Sequence, residues 1–363
     1  MAFERDGTRL QHGPIIKAGV DREKTKAAIE KVFRDMAGAM TAGMALVGTR
    51  TGLFRTMAGK GPMSIDEVAD TSNLQRRYVE EWLKGMASAG YLNYSGGKYQ
   101  LPDEVAYFVA SEGSDHFVGG MWEMVPPLLR VWPQVAEAFE KGGGVQFESF
   151  GPDCVNALDL INRGQYEQRL ASYWLQALPE TVKRLEVGGR VLDFGCGSGR
   201  VAIAIKKAFP KCEVYGYDVD DASLARARSA AGDAGLTVAF TAKLPAGHFD
   251  LVAVCDCIHD LANPVETLKS IHGTLMKNGV LFVVEPKVAD RAEDNRNALA
   301  TMFYGFSVFH CMTQSLARGG PGLGTCMGPA RTERLLREAG FREVRRLPNT
   351  LHFYPACIAE GIK

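Results

Sequence analysis

Two short stretches carry residues whose types and spacing could do chemistry. The first is "VLDFGCGSGR", residues 191–200, in which an apolar run ends at Asp193 and glycines follow at Gly195, Gly197 and Gly199, with Cys196 between the first two. Glycine lets the backbone turn sharply and approach a ligand with no Cβ in the way. Roughly twenty residues on, "VYGYD" ends at Asp218, where a carboxylate can accept both hydroxyls of a ribose. The second stretch is "VCDCIHDL", Val254 to Leu261. It admits three readings: a metal clip at Cys255 and Cys257, a buried strand running off its end, or a base, His259, at the rim of a pocket. Ligands two apart on a strand point the same way, yet no second Cys or His pair stands at metal-site spacing nearby. No metal site is therefore expected in the chain, and both cysteines are read as packing.

The glycine stretch separates two kinds of nucleoside ligand. Its pattern is D-x-G-x-G-x-G, with an acid before the first glycine, whereas a dinucleotide fingerprint reads G-x-G-x-x-G. Asp193 would repel a pyrophosphate but can pair with the amino group of a methionine moiety. The pattern favours S-adenosylmethionine (SAM) over NAD, and a methyl-transfer enzyme over a dehydrogenase.

The elements that must position these residues follow from periodicity. From Gly188 onward, strand-like "RVLDFG", "CEVYGYD", "HFDLVAVCD" and "VLFVVEP" alternate with helical "RVAIAIKKAFP", "DASLARARSAAGDAG" and "PVETLKSIHGTLMKNG". Nearly continuous apolar strands in β-α-β alternation predict an α/β fold, a mostly parallel sheet covered on both faces. Such sheets bind ligands beyond the carboxyl ends of their strands. Cys255 and Asp256 are accordingly expected at the cofactor, and the residues on to Asp260 near the reacting groups. In front, "MSIDEVAD" opens with a capping box, Ser64 and Glu67. "LQRRYVEEWLKGMASAG" follows with Val79, Trp82, Leu83 and Met86 at helical spacing, and "YLNYSGGKYQL" reads as a hairpin around Gly96-Gly97. Helix, turn, helix, hairpin is a winged-helix pattern. The expected division is a winged-helix unit over 1–110, a helical, aromatic-rich cover over 111–185 with a flexible "KGGG" at 141–144, and a SAM-binding domain over 186–363.

Bulk properties narrow the partners. Lysine plus arginine equal aspartate plus glutamate at 42 each in 363 residues, so no global field favours nucleic acid or an anionic membrane. No apolar run is long enough to span a bilayer, and "MAFERDGTRLQHG" has no signal-peptide core, so a cytoplasmic protein is expected. The eight cysteines are scattered and are expected to be reduced thiols. In the winged helix, Arg76, Arg77 and Lys84 alternate with Glu80 and Glu81, a poor footprint for phosphates. A SAM-sensing DNA-binding regulator stands as the alternative from another class.

"LDFGCGSG", "YGYD", "FDLVAVCDCIHDL" and "LMKNGVLFVVEP" resemble the successive motifs of class I SAM-dependent methyltransferases over residues 165 to 363. With the winged helix in front, the whole chain resembles the two-domain small-molecule methyltransferases. It is most like a bacterial group, mycobacterial among others, that shares the insertion "DNRNALATMFYGFSVFHCMTQSL". The resemblance implies a Rossmann-like, seven-stranded, mostly parallel sheet, SAM as cofactor, and a homodimer formed through the N-terminal domain. One departure stands out. Where such proteins often place an acid against adenine, this chain has "TAKLP" with Ala242 and Lys243, leaving backbone or Val219 for that contact. In plant-type winged-helix O-methyltransferases a histidine follows the fourth strand, an acid ends the fifth, and a third acid precedes the last helix. Those positions match His259, Glu285 and Glu333. The resemblance implies that His259 deprotonates the acceptor while Glu285 and Glu333 orient it, although His259 could instead line the SAM pocket or serve structure. A thiol acceptor would need no strong base. Tyr173, and with it Tyr166, precedes the first strand where this fold often closes over SAM. The insertion at 290–328 brings Met302, Phe303, Phe306, Phe309, His310 and Met312, an apolar lid or pocket wall for a small apolar or aromatic acceptor.

Overall fold

The computed structural model describes residues 19–347 and 356–362. Its first unit opens with a long helix, Arg22–Thr51, and continues through short helices to Ile65–Ser72 and Arg76–Ser88. Ser64 Oγ accepts the Glu67 N–H while the Glu67 carboxylate accepts the Ser64 N–H, so the capping box is complete. Val79, Trp82, Leu83 and Met86 are buried together with Phe54, Met57 and Leu101. Strands β1 (Asn93–Ser95) and β2 (Lys98–Gln100) pair antiparallel around Gly96 (φ +57°) and Gly97 (φ +81°), the two left-handed positions of a tight primed turn.

A helical layer follows, built from Gly119–Arg130, Trp132–Lys141, Pro152–Gln165 and Tyr166–Trp174. The "KGGG" segment has a packing role the sequence reading missed. A Cβ on Gly144 would lie 1.9 Å from the Thr313 carbonyl oxygen, and the Val145 N–H donates to that same oxygen. Glycine is required there because two backbones touch.

The C-terminal sheet comprises β3 (Arg190–Phe194), β4 (Glu213–Tyr217), β5 (Ala239–Thr241), β6 (Phe249–Cys255), β7 (Leu275–Pro286), β8 (Glu343–Arg346) and β9 (Ala356–Ile362). The order is β5-β4-β3-β6-β7-β9-β8, with five parallel strands and β9 antiparallel to both its neighbours. The apolar strands sort by alternation into two cores. Val191, Leu251, Ala253 and Phe282 face one helical layer; Leu192, Val252, Val254 and Val283 face the other. Each of these Val, Leu and Phe side chains contributes about 1.5–3 kcal/mol on burial, so β6 is pinned in register from both sides. The helix predicted to run to Gly279 stops at Thr274. Leu275 already pairs with Phe249, and Gly279, whose Cβ would come within 2.8 Å of the Phe249 oxygen, lets the chain press against β6.

Candidate active site

The carboxyl ends of β3, β4, β6 and β7 converge on one cavity of about 500 Å³. At β3, the Gly195 and Cys196 N–H groups donate to the Tyr217 oxygen (2.8 and 2.9 Å), tying the glycine loop to β4. All three glycines take positive φ, for different reasons. A Cβ on Gly195 would sit 2.6 Å from Cys257 Sγ, and one on Gly199 would sit 2.7 Å from the Phe240 ring and 2.8 Å from Ala227. Gly197 faces open space, so it alone keeps the approach to a ligand clear. Its N–H donates to Asp218 Oδ2 (2.8 Å), while Asp218 Oδ1 accepts the Asp220 N–H (2.9 Å). Asp193 Oδ2 accepts the Ala202 N–H (3.0 Å) and anchors the helix after the loop.

These two acids shape the electrostatics. Burial pushes the Asp193 carboxyl up to about 7; the Ala202 N–H opposes this and nearby Asp218 adds to it. Burial also raises Asp218, against its N–H donors. Two carboxyls raised in this way suit a cationic ligand, and SAM carries both an ammonium and a sulfonium. Val219 lines the same cavity, whereas Ala242 and Lys243 do not.

The second half of the site is built at the end of β6. Asp256 takes φ +50°, a left-handed geometry that aspartate tolerates, and its Oδ2 accepts the Tyr166 hydroxyl (2.6 Å). One turn of 3-10 helix, Ile258–Asp260, then carries His259 under the cavity. Glu285, next to the last residue of β7, receives the Ile258 N–H on Oε1 (2.8 Å) and meets His259 Nδ1 with Oε2. Histidine and glutamate are both 3% exposed. With Nδ1 held, Nε2 remains for the cavity, 3.6 Å from Asp260 Oδ1. Burial disfavours the imidazolium, but Glu285, then Asp260 and Cys311, outweigh it and hold the histidine well above its usual value.

The remaining expected residues divide. Cys196, Cys255, Met302, Phe303, Phe306 and His310 all line the cavity. His310 is buried against the edge of Phe150 (4.7 Å between ring centres), and burial lowers it to about 4 despite Asp260. Phe309 packs instead into the helical layer, and Met312 is not in the cavity lining. Two expectations need correction. Glu333 does not reach His259: it lies on the helix Pro329–Glu338, pairs with Arg346 and is absent from the cavity. Tyr173 is 38% exposed and outside the cavity, which Tyr166 lines instead. Tyr166–Trp174 is a π-helix, and its i→i+5 winding sends residues seven apart to different faces, where an α-helix would align them.

Sequence reasoning missed Asp159. Its carboxylate accepts Ser198 Oγ (2.5 Å) and Arg200 Nε (2.7 Å) and pairs with Arg163, latching the helical layer onto the glycine loop. The only sequence signal was the i,i+4 spacing of Asp159 and Arg163, which by itself says nothing of a loop forty residues away.

A glycine loop with acids at the ends of β3 and β4, on a parallel sheet that carries an antiparallel strand toward one edge, is the layout of a methyltransferase-type α/β fold. The chain belongs to the methyltransferase-domain family, whose model matches residues 163–345. Residues 39–111 match the Rv2258c-like winged HTH domain. In fold it is similar to human N-acetylserotonin methyltransferase, solved in complex with SAM (TM-score 0.64, 21% identity, 96% of this chain and 99% of that one). It is also similar to an O-methyltransferase family protein from Burkholderia thailandensis (TM-score 0.65, 16% identity, 95% and 98%). In sequence, 128 residues are 32% identical to a ribosomal protein L11 methyltransferase of Paraburkholderia phymatum, covering 35% of this chain and 39% of that relative. The chain thus spans well under half the length of the curated relatives it matches.

Proposed function

We propose that the protein methylates a hydroxyl oxygen of a small, apolar or aromatic acceptor, with His259 as the base. The observation that carries this reading is the buried Glu285–His259 pair opening by Nε2 onto the cavity that the glycine loop also lines. SAM, when bound, supplies an electrophilic methyl group on a sulfonium. Asp193, Gly197, Asp218 and Val219 are the residues that would hold it. Methyl transfer is an in-line displacement, so the protein has to orient the acceptor and remove its proton. Met302, Phe303 and Phe306 supply the apolar wall for orientation. Glu285 fixes the imidazole tautomer and stabilises the imidazolium that forms.

The winged helix suits assembly better than DNA. Arg76 pairs with Asp66 and Glu80, Arg77 with Glu81, and Lys84 with Glu80, so these cations are already neutralised. The helix Arg22–Thr51 turns Ile29, Val32, Phe33, Met36 and Met40 to solvent at helical spacing, a face fit for a second copy of the chain. Seven free thiols and no disulfide among the described residues support a reducing, cytoplasmic setting. None of the described helices is long and apolar enough to cross a membrane.

The test is a methyl-transfer screen over phenols, catechols, thiols and amines with wild type and His259→Ala. A hydroxyl acceptor is expected, with turnover lost in the variant while S-adenosylhomocysteine still binds. Full activity of the variant on a hydroxyl would refute the base. Activity on thiols alone would move the acceptor to sulfur.

A further inference from the structure

We propose that His259, Asp260 and Cys311 form a three-ligand site for a borderline divalent cation, with Zn²⁺ as its representative. One ligand atom from each of the three lies within 4.8 Å of the other two, and His259 Nε2 stands 3.6 Å from Asp260 Oδ1. Zinc bonds of about 2.0–2.3 Å in tetrahedral geometry set ligand atoms about 3.3–3.9 Å apart, so small side-chain rotations close the set. Nitrogen, oxygen and sulfur together match zinc's ligand preferences better than those of magnesium or calcium.

Two further observations point to a ligand here. Asp260 Oδ1 is shielded from solvent with no hydrogen-bond partner, although the side chain as a whole is about a third exposed. His259 Nε2 stands 3.6 Å away, too far for a hydrogen bond, and a cation between the two would satisfy both. The other face of the His259 imidazole is held by a carboxylate, Glu285, the arrangement that fixes a metal-bound histidine with its far nitrogen free. The ligands come from separate elements. His259 and Asp260 sit on the turn after β6, and Cys311 ends the π-helix Ser307–Cys311 of the insertion. A bound ion would therefore tie the insertion to the sheet. Three protein ligands leave a fourth position open toward the cavity. Cys255 and Cys257, the pair that suggested a metal in the sequence, are not part of the set.

Binding displaces the Cys311 thiol proton and any proton on Nε2. On the base reading of His259, from which this one consequence follows, the ion occupies the lone pair that takes the acceptor's proton. Zn²⁺ and oxygen methylation then exclude one another.

The experiment uses the full chain after chelator treatment and dialysis. Zn²⁺ is titrated by calorimetry and Co²⁺ by absorption, against Cys311→Ser and Asp260→Asn, with S-adenosylhomocysteine binding as the check that each variant is folded. One ion per chain is expected, with a thiolate-to-cobalt charge-transfer band that Cys311→Ser abolishes. Each substitution should weaken Zn²⁺ at least about tenfold. Absence of stoichiometric binding, or equal affinity in both variants, would overturn the site. Zn²⁺ is further expected to inhibit methyl transfer competitively with the acceptor. Binding without inhibition would leave the site standing and remove His259 as base, and a chelator-treated enzyme inert toward every acceptor would count against the methyl-transfer reading alone.

Discussion

His259 has one nitrogen committed to a buried carboxylate and one left for the cavity, so its chemistry is confined to Nε2. A positioned base contributes about 10²–10⁴ to rate, and His259→Ala is expected to lose that much in kcat on a hydroxyl acceptor. Because Glu285 and Asp260 hold the imidazole above its usual value, kcat/KM of chelator-treated enzyme should rise on the alkaline side of an ordinary histidine. Glu285→Gln removes the carboxylate and should move that limb to lower pH. Asp193 gives a second pH effect, at the cofactor. Its carboxyl, raised to about 7, must lose a proton before it can pair with an ammonium. SAM affinity, followed by calorimetry, should climb by up to about tenfold per pH unit as pH rises toward 7 and level off above it.

Among the elements, the glycine loop is the part least tolerant of change. Gly199 caps the helix Arg200–Ala208 at φ +78° with the Phe240 ring and Ala227 against it. Gly199→Ala adds both a left-handed alanine and a clash, and should cost about 1–3 kcal/mol, read as a lower melting temperature. The same substitution at Gly197 (φ +49°) keeps the left-handed strain but meets open space, so it should lower the melting temperature less than Gly199→Ala while also weakening SAM binding. The element types were legible because the strands are apolar on both faces and the caps and turns have specific chemistry: Ser64 with Glu67, Gly96 with Gly97. Two local readings failed where a neighbour intervened. The helix ending at Thr274 and the π-winding at Tyr166–Trp174 both answer to packing across the chain, which local periodicity does not encode.

At the scale of the molecule, the latch at Asp159 joins the helical layer to the cofactor loop. Burial alone would raise Asp159, but Arg200, Ser198 and Arg163 overcome it and hold the carboxyl at about 2. A depressed carboxyl stabilises the fold above its unfolded value and loses that contribution as pH falls from about 4 through about 2. Asp159→Asn should cost about 1–3 kcal/mol in denaturant unfolding at neutral pH, with the gap to wild type closing over that acid range. The insertion completes the architecture. It brings Met302, Phe303 and His310 over the sheet and places Cys311 beside His259, 52 positions earlier in the chain.

The sequence by itself determined the parallel sheet, the glycine loop with its two acids, and the histidine after the fourth of the parallel strands. Those features are written in alternation, in glycine spacing and in the residues that end strands, all of them local. Only the tertiary structure decided that Glu285 serves His259 while Glu333 serves Arg346, that Tyr166 and not Tyr173 lines the cavity, and that Cys311 meets His259 and Asp260. Such contacts depend on helix phase and on how distant segments pack, and no spacing along the chain carries that information.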